Sequence, residues 1–458
     1  MIVSLLESNF GKEDILNLLQ KTGDLLPEPL SQRVDLTTFL AKIQKQAKIW
    51  VAVENAQPVG IIAYYANDLI SRTAHLTFMG LLTNFQNRKI GTRLLEKMIE
   101  DCQQANFRRI TLEVHPSNTR AIHLYGKHGF QPEKIHAGKI FMSLPLYSSL
   151  QISKLEQHPC SSLLPGIDLR IKRDDLYPFC GGGSKARKIG PIIRSAIHGG
   201  FDTIVTNGAL QSNHARAAAL ACAEANLHCH LVLHTEEPAP TIMEGNLLLM
   251  HLAGAEIEYC QNSELAACMD AAMEKYQLRG KNPLYVWGGG HCIEGSMAFY
   301  DAAAEAQEQC ADWIPDFVVH ASGTGTTQAG LIAGYAHLPT RIIGISVART
   351  PERGSEVIRQ ALQELGEYAH RDFSAAAIDF RDNWLEGGYG KTSTRLHETI
   401  SEAARLGLVL DPTYTGKAFL GLRELHRTGL VPAGSRVLFW HTGGLLNLLS
   451  SNEIQRKD

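Results

Sequence analysis

The chain has 458 residues, 44% hydrophobic and 20% charged, with a formal net charge of -3. That length predicts two or three cores rather than one. The near-neutral balance gives no electrostatic basis for binding nucleic acid or an anionic membrane, and no apolar run is long enough to cross a bilayer.

The start, Met1 to Glu7, has neither a basic flank nor a long apolar stretch, so no signal peptide is expected. From residue 49 the chain alternates strand-like stretches at 49–53, 60–65 and 75–79. A helix follows, with Leu94, Leu95, Met98 and Ile99 at helical spacing. A strand over 109–114, a helix over 119–128 and a strand over 140–144 complete a small α/β domain, 1–148, whose sheet is mostly antiparallel. Residues 147–154 carry three serines and no periodic signal, which places the junction there.

Two segments of this domain carry chemistry. Gln86-Asn87-Arg88-Lys89-Ile90-Gly91-Thr92 closes a strand and opens a helix. Asn118 to Tyr125 opens another, followed by Gly129-Phe130. Together they resemble the GNAT N-acetyltransferases. The resemblance implies acetyl-CoA as co-substrate, its pyrophosphate wrapped by backbone amides at a helix start. The implied contacts are Gln86, Arg88, Lys89, Gly91, Thr92 and Asn118, with Tyr125 protonating the departing thiolate. Lys89 stands where the family pattern has its first glycine. Glu113 and His75 are candidate bases for an accepting amine.

Beyond the junction, over 153–458, short β-branched strands at 203–206, 229–233, 257–259, 284–287, 317–320, 342–346 and 437–440 alternate with longer helices. Alternation of this kind predicts parallel sheets covered by helices, with ligands at the carboxyl ends of strands. Nine scattered cysteines without a Cys-x-x-Cys predict reduced thiols in a cytoplasmic protein and no metal site.

Gly181-Gly182-Gly183-Ser184-Lys185 brings an amine to the mouth of a helix, where the positive helix end lowers its pKa. A solvated basic helix face of Lys185, Arg187 and Lys188 is the competing reading. Gln211-Ser212-Asn213-His214 opens an alanine-rich helix whose free amides suit a carboxylate. Gly323-Thr324-Gly325-Thr326-Thr327 lies between a strand and a helix and suits a phosphate. Tyr389 and Tyr414 sit in the two remaining loops with chemical potential, and His441-Thr442-Gly443-Gly444 adds a late hydroxyl. An imine-forming lysine, a phosphate cradle and a carboxylate site are the parts that hold pyridoxal phosphate (PLP) and an amino acid.

From Ile171-Lys172-Arg173-Asp174-Asp175-Leu176 onward these motifs resemble the PLP enzymes of the 1-aminocyclopropane-1-carboxylate deaminase and D-cysteine desulfhydrase group, within the tryptophan-synthase β-like fold. The resemblance implies Lys185 as the cofactor lysine and Ser212 and Asn213 as the carboxylate site, with His214 beside them. It implies phosphate on Gly323, Thr324, Gly325, Thr326 and Thr327, and Tyr389 and Tyr414 at the ring. The cyclopropane deaminases place a glutamate against the pyridine nitrogen after the second tyrosine. Here that residue is Thr415. Thr415, Thr442 and His214 all look like D-cysteine desulfhydrase. A neutral hydroxyl makes a weaker electron sink, sufficient when a good leaving group departs from Cβ.

The expectation is a bifunctional cytoplasmic enzyme, a homodimer acting on a small amino acid. One half performs α,β-elimination on a D-amino acid and the other N-acetylation. The alternatives are a cyclopropane-amino-acid deaminase or a racemase, with the first domain only an acetyl-CoA-binding regulatory module.

Overall fold

A computed structural model describes residues 4–7, 11–68, 72–105, 107, 109–136, 138–146, 152–238, 240 and 242–450. The chain divides into two units, Met1–Ser149 and Leu150–Asp458. Residues 147–151, within the junction read from sequence, lie outside the described ones, as do Met1 to Val3.

In the first unit α1 (Lys12–Gly23), α2 (Leu30–Arg33) and α3 (Leu36–Gln46) follow β1 (Ser4–Glu7). The antiparallel strands β2 (Lys48–Glu54), β3 (Gln57–Tyr65) and β4 (Thr73–Leu81) come next, then α4 (Ile90–Gln104) and β5 (Arg109–Val114). Helix α5 (Thr119–Lys127) and the hairpin β6 (Gln131–His136) and β7 (Lys139–Pro145) complete the unit. The sheet order is β1-β2-β3-β4-β5-β7-β6. Every pairing is antiparallel except β4 with β5. Strand β6 escapes the sequence pattern because it is exposed along its whole length and shows no alternation.

Two features open this sheet. The register of β3 on β4 skips Thr77, a bulge that bends the strand. Pairing of β4 with β5 ends at Leu76 and Leu112, although the strands run on to Leu81 and Val114. The two strands therefore splay.

The second unit begins with β8 (Lys154–Gln157), β9 (Asp168–Arg173) and α6 (Gly183–His198). Then come β10 (Thr203–Ala209), α7 (Asn213–Glu224), β11 (His228–His234), α8 (Gly245–Leu252), β12 (Glu256–Cys260), α9 (Leu265–Leu278) and β13 (Pro283–Val286). After α10 (Ile293–Cys310) come β14 (Phe317–Ser322), α11 (Thr326–Tyr335), β15 (Arg341–Ser346), α12 (Pro351–Ala369) and β16 (Asp379–Arg381). Helices α13 (Thr394–Arg405) and α14 (Thr415–Arg427), β17 (Arg436–His441) and α15 (Leu445–Leu449) complete it.

The strands form two sheets, β12-β11-β10-β13 and β16-β15-β14-β17-β9-β8. All pairings are parallel except β8 with β9. Strands such as β10, β14 and β17 are buried nearly end to end because helices cover both faces. No helix among the described residues is long and apolar enough to cross a membrane.

Candidate functional sites

The carboxyl ends of β10, β14 and β17 open on one cavity of about 590 Å³ in the second unit. Lys185, in the first turn of α6, lines it and donates from Nζ to the Gly289 carbonyl at 3.1 Å. Burial lowers its pKa to about 8. The glycines before it are sterically required. Gly182 has φ of +75°, and a Cβ there would come within 2.3 Å of the Asp175 carbonyl.

The basic-face reading is excluded. Lys188 is 1% exposed, and its Nζ donates to Thr326 Oγ1 at 2.7 Å. Burial, then the neighbouring Lys185, holds its pKa well below the ordinary lysine value. Arg187 turns into a buried network. Its guanidinium meets Asp174 Oδ1 and Glu305 Oε2 at 2.7 Å each, and Trp440 Nε1 donates to Asp174 Oδ2 at 2.8 Å. These contacts anchor the helix that carries Lys185.

Ser212 caps α7, its Oγ accepting from the Ala215 amide at 3.2 Å, and both Ser212 and Asn213 line the cavity. Asn213 Oδ1 accepts from Asn246 Nδ2 at 3.2 Å, which leaves the Asn213 NH2 as the free end of that amide. His214 Nε2 meets Thr206 Oγ1 at 2.9 Å, and burial drops its pKa to about 3. Asn207 at the end of β10, absent from the sequence reading, also lines the cavity, and its Nδ2 is buried without a partner among the described residues.

Gly323, Thr324, Gly325 and Thr327 line the same space. Gly325 precedes α11 with φ of +91°, so the loop turns its amides into the helix mouth. Thr326 is a correction: its hydroxyl faces Lys188 and donates weakly toward Gly290 O, rather than lining the cavity. Arg349, another residue missed in sequence, holds the loop by donating to Gly323 O at 2.6 Å.

Tyr389 and Tyr414 face each other across the cavity wall with hydroxyl oxygens 2.5 Å apart. Burial raises both pKa values, Tyr414 well above the usual tyrosine range. Thr415 is the second correction. Its Oγ1 donates to Asp411 Oδ1 at 2.7 Å and accepts from the Asp411 amide at 3.0 Å. It is fully buried outside the cavity lining. Spacing alone could not show that Asp411 takes four donors from the turn carrying Tyr414. Thr442, unlike Thr415, lines the cavity.

The donor set fits pyridoxal phosphate. An amine, a helix-mouth loop of free amides, an orphaned buried Asn207 NH2 and a neutral wall hydroxyl converge on one space.

In the first unit a separate cavity of about 680 Å³ runs along the splay of β4 and β5. Asn118, which caps α5 through a bond from the Ala121 amide, and Tyr125 both line it. Burial pushes the Tyr125 hydroxyl up to about 12. Gln86, Arg88, Lys89, Gly91 and Thr92 lie at the start of α4 rather than in this lining. The Gln86 side chain accepts from Arg120, and Arg88 pairs with Glu54 at 2.5 Å. Lys89 adopts φ of +59°, the left-handed conformation that glycine takes freely. The first bond inside α4 runs from Arg93 N to Lys89 O, so the amides of Ile90, Gly91 and Thr92 have no intrahelical acceptor. Those amides, not the side chains, could receive a pyrophosphate.

Residues 151–443 match the model of the pyridoxal-phosphate dependent enzymes, and residues 13–130 match that of the GNAT acetyltransferases. The chain is 35% identical over 301 residues to the D-cysteine desulfhydrases of Salmonella paratyphi A and Salmonella choleraesuis, covering 63% of this chain and 90% of theirs. A solved ACC deaminase homologue superimposes with a TM-score of 0.61 at 30% identity, over 66% of this chain and 93% of that one.

Proposed function

Because the chain belongs to the pyridoxal-phosphate dependent enzymes, we propose that its second unit is a lyase. It takes a small D-amino acid with a β-leaving group to a 2-oxo acid and ammonia, with sulfide as the leaving group from D-cysteine. The similarity to D-cysteine desulfhydrases supports the substrate class. The observation that carries the chemistry is the 2.5 Å Tyr389–Tyr414 hydroxyl pair on the wall that Lys185 also lines. When bound, pyridoxal phosphate supplies the electron sink for the pair left behind by the α-proton.

The chain's residues do the rest. The Ser212–Asn213 helix start holds the carboxylate and fixes the α-carbon beside the amine. Lys185, with a pKa brought down to about 8, gives up and regains a proton near neutral pH and so serves at the α-carbon. The tyrosine pair carries two protons, one bridging the two oxygens and the other able to pass to the departing β-group. Thr442 presents a neutral hydroxyl where a carboxylate would strengthen the sink. That favours expulsion of a leaving group over opening of an unactivated ring.

The first unit, on this reading, is an acetyl-CoA-dependent N-acetyltransferase, with pyrophosphate on the free amides of α4 and Tyr125 as the acid for the thiolate. Assaying purified chain for sulfide and pyruvate from D-cysteine, and for 2-oxobutyrate from the cyclopropane amino acid, tests the lyase assignment. Efficient 2-oxobutyrate formation with no elimination from any D-substrate would overturn it.

A further inference from the structure

The cavity of the first unit specifies more about its acceptor than the family match does. On one face of the sheet, Tyr65 of β3, His75 of β4 and Thr111 of β5 are consecutive register partners. Side chains at such positions are neighbours on one face. Thr111 Oγ1 donates its single hydrogen to the Ala74 carbonyl at 3.2 Å and meets His75 Nδ1 at 3.0 Å. With that hydrogen on Ala74, the Thr111 lone pair accepts from Nδ1, and in this tautomer the neutral ring keeps its Nε2 lone pair for a substrate amine. Burial lowers the His75 pKa, offset in part by Glu113. Glu113, the other candidate, is half-exposed and paired with Lys139 at 3.7 Å.

The charges lining the cavity are Glu28, Arg33, Asp35, Lys42, Glu113 and Lys139. Arg33 faces Glu28 at 4.0 Å, Lys139 faces Glu113, and Asp35 caps its own helix at Thr38. Lys42 alone has no carboxylate partner among the described residues. Its Nζ stands 5.8 Å over the Tyr65 ring, one strand from His75. A positive charge and a base lining one cavity suit a molecule carrying a carboxylate and an amine on one carbon.

We propose that the first unit acetylates the amino group of a free amino acid, with Lys42 holding its carboxylate and His75 taking the amine proton. This rests on the acetyltransferase reading above. The ammonium gives one proton to His75, which passes it to water. The amine nitrogen then bonds to the acetyl carbonyl carbon. As the carbon–sulfur bond breaks, the nitrogen gives a second proton to His75 and so to water, while Tyr125 protonates the thiolate and regains its proton from water. The sum is ammonium plus acetyl-CoA to amide, CoA thiol and one proton.

The test uses the full chain, following CoA thiol release with amino acids and with the same compounds lacking the carboxylate. The unmodified protein should acetylate amino acids with KM at least about ten-fold below that of the matching amines, the size of one charged hydrogen bond. Lys42→Met should raise KM for amino acids about ten-fold, leave kcat within about two-fold, and leave the amines unchanged. His75→Gln should lower kcat for both by a hundred-fold or more with acetyl-CoA affinity, by calorimetry, unaltered. Turnover of amines but not amino acids, or a Lys42 variant that weakens both alike, overturns the amino-acid assignment while acetyl transfer stands. Full kcat in His75→Gln removes the base. No binding of acetyl-CoA at all removes the acetyltransferase reading itself.

Discussion

The buried Asp174–Arg187 pair, which ties down the helix of Lys185, makes the strongest quantitative prediction. Asp174 has no exposed surface and accepts from four donors: Arg187 Nη2 at 2.7 Å, Arg187 Nε at 3.0 Å, Ser153 Oγ at 2.6 Å and Trp440 Nε1 at 2.8 Å. Asp174→Leu strands a buried guanidinium on Glu305 and leaves an indole donor unpaired. Breaking a buried pair by removing one partner costs about 3–5 kcal/mol. At roughly 2–4 °C per kcal/mol for a unit of this size, the second unit should melt about 6–20 °C lower. Asp174→Leu combined with Arg187→Met removes both charges and leaves Glu305 with Lys172, whose Nζ also donates to Ser153 O and Gln309 Oε1 at 2.6 Å. The double variant should lose less than half of what the single one loses, since packed apolar side chains replace buried ion pairs at little cost. The assay is urea and thermal unfolding of the full chain, read as a double-mutant cycle. Because Arg187 and Lys185 share the first turns of α6, cofactor content should fall with the single variant and recover in the double. Strict additivity of the two substitutions would refute the reasoning, because it would mean that neither charge depends on the other.

Lys185→Ala should abolish the absorbance of bound cofactor and all lyase turnover. Lys188→Met should keep borohydride trapping at Lys185 yet weaken cofactor affinity about ten-fold, one hydrogen bond to the phosphate loop being lost; loss of trapping would reassign the amine. Thr415→Glu should fail to convert the enzyme to ring opening and should lower stability instead, because it sets a carboxylate against the buried Asp411. A stable variant with new ring-opening activity would return Thr415 to the ring. Burial holds His214 at about 3 and His320 at about 4. Below the ordinary histidine pKa of about 6.5 the unfolded chain then binds protons that the folded one refuses. Stability is full above that pH and falls as pH drops from about 6.5 toward 4, by about 1.4 kcal/mol per unit per histidine. His320→Leu should flatten that limb in denaturation midpoints measured against pH, and an unchanged slope would count against it.

The periodic elements were legible in the residues themselves. Buried β-branched strands such as β10 and β14, and the helix start at Ser212, follow from local pattern and capping chemistry that need no partner. So does the order of the glycine–lysine, serine–asparagine and glycine–threonine segments. Strand β6 and helices α1 to α3 were not read, the strand because an exposed edge has no alternation to read. What only the tertiary structure decided is where side chains turn. Thr415 follows the second tyrosine and Thr442 lies in the late His441–Gly444 segment, and spacing cannot tell which hydroxyl is spent on Asp411 and which lines the cavity. Lys185 and Lys188 share one helix a single turn apart. Only the packing of α6 against α10 and the Gly323–Thr327 loop buries Lys188 on Thr326 and leaves Lys185 on the cavity wall. The hydrogen-bond partner of His75 Nδ1 is Thr111, thirty-six residues away in sequence and adjacent in the sheet. Hydrogen bonds and desolvation act over a few ångströms in space. The sequence orders its residues along the chain, so it names the groups but not their neighbours.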